Sequence, residues 1–120
     1  MAKLLIVEDD ESVRTLAARA LERAGHSIDV AADGAQGLDA IRAACGRYDL
    51  VVSDIRMPEM DGIEMAKAAA GAFPGMRIML MTGYAEQRER AEDLAGIIRD
   101  VVQKPFTLAE LRDRVGRALN

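Results

Sequence analysis

A chain of 120 residues has room for one domain with its own buried core and none for a second. Half of its residues are apolar, 30% are charged and the net charge is −4, which excludes the basic surface of a direct nucleic-acid binder. No apolar run approaches the ~20 residues that span a bilayer and no signal-like segment follows Met1, so the expected setting is cytoplasmic and away from membranes.

In chain order, the first predicted element is a strand over Lys3–Val7, followed by a helix from Glu11 to Ala24. Val13, Leu16, Ala17, Ala20, Leu21 and Ala24 give that helix one apolar stripe, and Gly25 stands where a helix-ending residue belongs. A second strand over Ile28–Ala31 leads into a helix over Ala35–Cys45, where the single cysteine reads as a small buried apolar residue. The third strand, Leu50–Ser53, precedes a helix over Gly62–Ala72 that Pro74-Gly75 stops. The fourth strand is Arg77–Met81, and the charged stretch Glu86–Leu94 after it reads as a mostly solvated fourth helix. The fifth strand, Ile98–Val102, leads to a last helix opened by a capping-box pattern at Thr107 and Glu110, ahead of Leu108, Leu111, Val115 and Leu119.

The strand segments are mostly continuous apolar runs, as expected for strands covered on both faces. Strict β-then-α alternation implies an α/β fold: an open, doubly wound parallel sheet with right-handed crossovers and helices on both faces.

Ligands of such sheets bind beyond the carboxyl ends of the strands, so the polar residues there are read first. They are Glu8-Asp9-Asp10 after strand one, Asp54 after strand three, Thr82 after strand four and Lys104-Pro105 after strand five. Carboxylates gathered at one edge raise one another's pKa unless a cation neutralises them. An all-oxygen donor set with few protein ligands suits Mg²⁺, and Mn²⁺ can substitute. Phosphoryl transfer asks for a nucleophile, positive charge and donors around the phosphoryl oxygens. Asp54 reads as that nucleophile, forming an acyl phosphate, with Lys104 as the positive charge and Thr82 as a hydroxyl donor. The loop after Asp54 brings the Arg56 carbonyl into reach of the metal, and Asp61 caps the next helix. Each side chain also has an ordinary structural role open to it; their convergence on one sheet edge is what makes them a candidate site.

The motifs Glu8-Asp9, Asp54 within Asp-Ile-Arg-Met-Pro-Glu-Met-Asp-Gly, Thr82-Gly83 and Lys104-Pro105-Phe106 resemble the receiver domain of bacterial two-component response regulators, over essentially the whole chain. The resemblance implies the CheY-like, flavodoxin-like strand order 2-1-3-4-5 in a five-stranded sheet. It implies Asp54 as phosphoacceptor, and Mg²⁺ on Asp9, Asp54 and the Arg56 carbonyl with Glu8 acting through water. Lys104 would pair with the phosphoryl group, Thr82 would move toward it, and the Lys104-Pro105 bond would be cis. A sensor histidine kinase or phosphotransfer protein is the implied donor, approaching the Asp54 edge and the first helix. A downstream protein would dock on the face made by the fourth helix, strand five and the fifth helix, Glu86 to Leu94 and the exposed side of Thr107 to Asn120. The output is then a surface and not an enzymatic turnover, with at most self-catalysed phosphorylation and dephosphorylation. Among receivers without an output domain, the chain is similar to the CpdR-type regulators of alphaproteobacteria, which steer regulated proteolysis. That likeness rests on Glu22-Arg23-Ala24-Gly25-His26, Met57 to Glu64 and Met81-Thr82-Gly83.

The chain departs from the family pattern at Val101, where many receivers carry an aromatic residue that swings inward with the threonine. Tyr84 reads as an ordinary loop tyrosine. Arg56 and Tyr84 fall beside the path of the hydrolytic water in such domains, and their size leads to an expectation of slow phosphoryl loss. His26, in a turn away from the site edge, reads as a surface histidine, and Met57, Met60, Met79 and Met81 read as packing. One rival is a phosphatase of the haloacid dehalogenase type, which would want its nucleophile in an Asp-x-Asp motif after strand one; none is there. The others are a phosphate sink and the receiver half of a multidomain regulator.

Overall fold

The computed structural model describes residues 2–83, 89–91, 94 and 96–120. Five strands, β1 (Lys3–Val7), β2 (Ser27–Ala31), β3 (Leu50–Asp54), β4 (Ile78–Thr82) and β5 (Ile98–Gln103), form one parallel sheet in the order β2-β1-β3-β4-β5. The helices are α1 (Glu11–Arg23), α2 (Gly34–Ala43), α3 (Gly62–Ala72) and a C-terminal helix (Leu108–Leu119). Of the fourth predicted helix, residues 89–91 are helical, and Glu86–Arg88, Glu92 and Asp93 lie outside the described residues, as does Tyr84.

Successive side chains of a strand point to opposite faces, and here both faces are apolar. Leu5, Val7 and Val51 join Leu38, Ile41, Met65 and Ala69 in the core under α2 and α3. Leu4, Ile6, Leu50 and Val52 join Ala17, Leu21, Leu111 and Val115 in the core under α1 and the C-terminal helix. Burying a Leu, Ile or Val side chain stabilises by about 1.5–3 kcal/mol, and β1, β3 and β4 bury every residue from Leu4 to Val7, Leu50 to Asp54 and Ile78 to Thr82. The methionines expected as packing are so: Met79 and Met81 are fully buried, and Met57 and Met60 pack against the first core.

Two readings need correction. β2 is not covered on both faces, because an edge strand has only β1 beside it; Val30 is 51% exposed. Cys45 is exposed rather than buried, because α2 stops at Ala43 and the chain turns at Cys45 with φ 53. Elsewhere the ends follow their capping chemistry. Asp10, Asp33, Asp61 and Thr107 each accept a backbone N–H in the first turn of the following helix, and Asp61–Glu64 and Thr107–Glu110 form complete capping boxes. Gly25, with φ 101, follows α1 as expected.

The sheet register sets the site. β1 pairs with β3 up to Val7↔Ser53, and β3 with β4 up to Asp54↔Met81, so the residues following these strands emerge at one edge. β4 pairs with β5 up to Thr82↔Gln103 after a register shift near Ile78 and Met79, which delivers Lys104 to that edge.

Candidate phosphoryl and metal site

Glu8 leaves β1 with its backbone N–H donated to the Ala31 carbonyl of β2 at 3.0 Å. It is 1% exposed and Asp54 is 8% exposed, so two carboxylates are buried at the edge, while Asp9 beside them is exposed but partly desolvated. One oxygen from each of Glu8, Asp9 and Asp54 lies within 4.8 Å of the other two. Asp10 takes no part in that cluster: its side chain accepts from Val13 N at 3.0 Å as the cap of α1, as its place outside the acidic pair suggested.

Lys104 answers this charge. Its ammonium donates to Glu8 Oε1 at 2.7 Å and to Asp54 Oδ2 at 3.1 Å, bridging the ends of β1, β3 and β5. Burial pulls the Lys104 pKa down, but the hydrogen bond to Glu8 and the charge of Asp54 more than offset this, and the net shift is upward. Asp9 is the carboxylate left over. Burial, then its hydrogen bond with Glu8 and the Glu8 charge, raise its pKa against the smaller opposing pull of Lys104.

The Asp54 carboxylate is held from its own chain as well, with Oδ1 accepting the Ile55 N–H at 3.0 Å. Gly62 abuts the Asp54 carbonyl, where a Cβ would collide, and its N–H donates to the Ile55 carbonyl at 2.7 Å. Gly34, at the start of α2, abuts the Met60 carbonyl in the same way. The loop from Ile55 to Asp61 is thus pinned between two glycines. Thr82 ends β4 fully buried, and its carbonyl accepts the Lys104 N–H at 2.7 Å. The Lys104-Pro105 peptide is cis. Arg56 is exposed two residues beyond Asp54. Val101, at the position where an aromatic was missed, is half-buried against the first core.

The structure therefore gathers Glu8, Asp9, Asp54, Thr82 and Lys104 at one edge, with Arg56 in the adjoining loop. Two contributors were not foreseen from the residues. Arg14 of α1 donates to the Glu8 carbonyl at 2.8 Å. Gly34 was unremarked too, since nothing in its neighbours signals a close approach to a loop far along the chain.

Three carboxylates crowded at one edge against a single ammonium fit a small hard divalent cation: the set is two positive charges short, and all its ligand atoms are oxygens. Among the described residues no helix is long and apolar enough to cross a membrane.

The chain is similar to known proteins over nearly its whole length. Residues 4–116 match the response regulator receiver domain family. The response regulator receiver protein CpdR of Brucella abortus is 34% identical over 119 residues, covering 99% of this chain and 98% of CpdR. The response regulator MprA of Mycobacterium tuberculosis is 37% identical over 98% of this chain, which spans 50% of MprA. Among solved structures, the response regulator TrrA of Thermotoga maritima in complex with Mg²⁺-BeF superposes with a TM-score of 0.87 at 31% identity, covering 98% of this chain and 99% of that one.

Proposed function

The chain belongs to the response regulator receiver domain family, and from that premise we propose that it takes a phosphoryl group on Asp54 and converts it into a changed protein-binding surface. The observation that carries the assignment is the bridge from Lys104 to Glu8 and Asp54, at 2.7 and 3.1 Å: a compact positive charge already seated against the one buried aspartate of the edge.

In the proposed reaction an Asp54 carboxylate oxygen attacks phosphorus, the bond to the donor's histidine nitrogen breaks, and the leaving imidazole keeps the electron pair and takes up a proton. Lys104 exchanges its contact with the Asp54 carboxylate for the phosphoryl oxygens, and Thr82 offers its hydroxyl to another. Mg²⁺, held by Asp9, Asp54 and the Arg56 carbonyl, would neutralise the carboxylates and phosphoryl oxygens; Mn²⁺ would serve as well. Glu8 would reach the ion through water, since Oε1 is bound to Lys104 and Oε2 accepts the Asp10 N–H at 3.3 Å. That TrrA carries Mg²⁺-BeF supports this donor set.

A sensor histidine kinase or phosphotransfer protein would supply the group. An apolar hollow of about 400 Å³ lined by Val13, Leu16, Phe106, Leu108 and Lys104 lies beside the site between α1 and the segment after β5, and suits a helix of that donor. The signal would leave through the face of the 86–94 stretch, β5 and the C-terminal helix, as a shift between two pre-existing states. Turnover of a substrate is no part of this role.

Incubation with Mg²⁺ and acetyl phosphate, read by intact mass, should show one phosphoryl group on the wild type and none on Asp54→Asn. A wild type left unmodified by both acetyl phosphate and a cognate kinase would overturn the assignment.

A further inference from the structure

The turn that carries the acidic pair holds three consecutive carboxylates and packs no apolar side chain of its own. Its shape is fixed by polar contacts. Glu8 N–H donates to the Ala31 carbonyl, Asp10 N–H to Glu8 Oε2, and the Asp10 side chain, the cap of α1, accepts the Val13 N–H. The Glu8 carbonyl is bound by Arg14, whose NH1 donates to it at 2.8 Å.

Arg14 sits in the first turns of α1, where the positive end of the helix disfavours a cation, so helix electrostatics do not account for it. Helical side chains lean toward the N-terminus, and from Arg14 that lean carries the guanidinium back over the turn to the end of β1. There it holds the Glu8–Asp9 peptide. Asp9 is the exposed member of the acidic cluster and its side chain leaves the chain at that peptide, so the orientation of its carboxylate follows the peptide.

Resting on the receiver reading above, we propose that Arg14 is a positioning residue for the divalent-cation site. It touches neither ion nor phosphoryl group, and it fixes Asp9 through the Glu8 carbonyl. Two simpler roles predict other behaviour. As a nearby charge only, Arg14 repels the ion, and its removal tightens binding. As a fold element only, its removal lowers stability and leaves affinity alone.

Mg²⁺ and Mn²⁺ titrations by calorimetry, on the wild type, Arg14→Ala and Arg14→Lys, separate these roles, with chelator-treated samples melted alongside. Arg14→Ala should bind Mg²⁺ roughly 10-fold more weakly, within the range seen when a ligand's supporting contact is lost. Arg14→Lys, which keeps the charge but not the planar fork, should also bind more weakly, and it carries the test if the alanine variant fails to fold. Unchanged or tighter binding in the variants overturns the positioning role while leaving the receiver reading intact. A wild type that binds neither ion overturns both.

Discussion

Glu8, Asp9 and Asp54 share a single ammonium, and Asp9 bears the deficit. Its raised pKa, from burial first and then from its hydrogen bond with Glu8 and the Glu8 charge, means that the folded chain holds the Asp9 proton more tightly than the unfolded chain does. The contribution of such a group is intact below its unfolded value and declines as pH rises through the folded value, so at neutral pH charged Asp9 works against the metal-free fold. Asp9→Asn should therefore melt higher than wild type in chelator at neutral pH, and should lose the further rise in Tm that Mg²⁺ gives the wild type. A variant less stable than wild type in chelator would show that repulsion at the cluster is not the governing term. The acidic pair was legible because Glu8 and Asp9 directly follow a clear apolar strand. Arg14 was not, since a lone arginine in an amphipathic helix has an exposed face to occupy, and only the fold reveals that it turns back to the Glu8 carbonyl.

Among the elements, the segment between β3 and α3 is the most constrained. Met60 N–H donates to the Pro58 carbonyl at 2.8 Å across Glu59, whose φ of 68 lies where side chains other than glycine are strained. Glu59→Gly should stabilise the protein by about 1 kcal/mol, seen as a higher urea midpoint at unchanged slope. A loss of stability would mean that the Glu59 side chain has a role outweighing the backbone strain. Both capping boxes were readable from spacing alone, because a cap is a local event between residues three apart. Positive φ at Glu59 and Cys45 was not, as neither is a residue that favours it. The register shift between β4 and β5 was hidden for another reason: Ile98 to Val102 reads as an unbroken strand, and the irregularity exists only in its pairing with Ile78 and Met79. Val30 misled in the same way, since a short apolar run does not say which strand lies at an edge.

Over the whole molecule, alternation of strands and helices announced a two-sided parallel sheet, but periodicity does not order strands; the order 2-1-3-4-5 came from the motif resemblance. Once folded, that order is cross-linked by polar contacts of Lys104 and Tyr48 between distant parts of the chain. Lys104 ties β5 to β1 and β3 at the carboxyl edge, and the Tyr48 hydroxyl, just ahead of β3, donates to Asp29 of β2 at 2.7 Å. Burial first, then the hydrogen bond and charge of Asp29, push the Tyr48 pKa up to about 12. Lys104 is likewise raised, its partners outweighing burial. Both groups keep their protons in the folded state after the unfolded chain has released them, near pH 10 for a tyrosine and a lysine. Their contributions are thus complete below about pH 10 and are lost as pH rises through the folded values. Each proton so retained steepens the loss by up to about 1.36 kcal/mol per pH unit. Urea unfolding at a series of alkaline pH values should show stability falling between about pH 10 and the Tyr48 value of about 12 in the wild type, with a slope shallower by up to one proton in Tyr48→Phe. The same slope in Tyr48→Phe as in the wild type would exclude Tyr48 as one of the two groups.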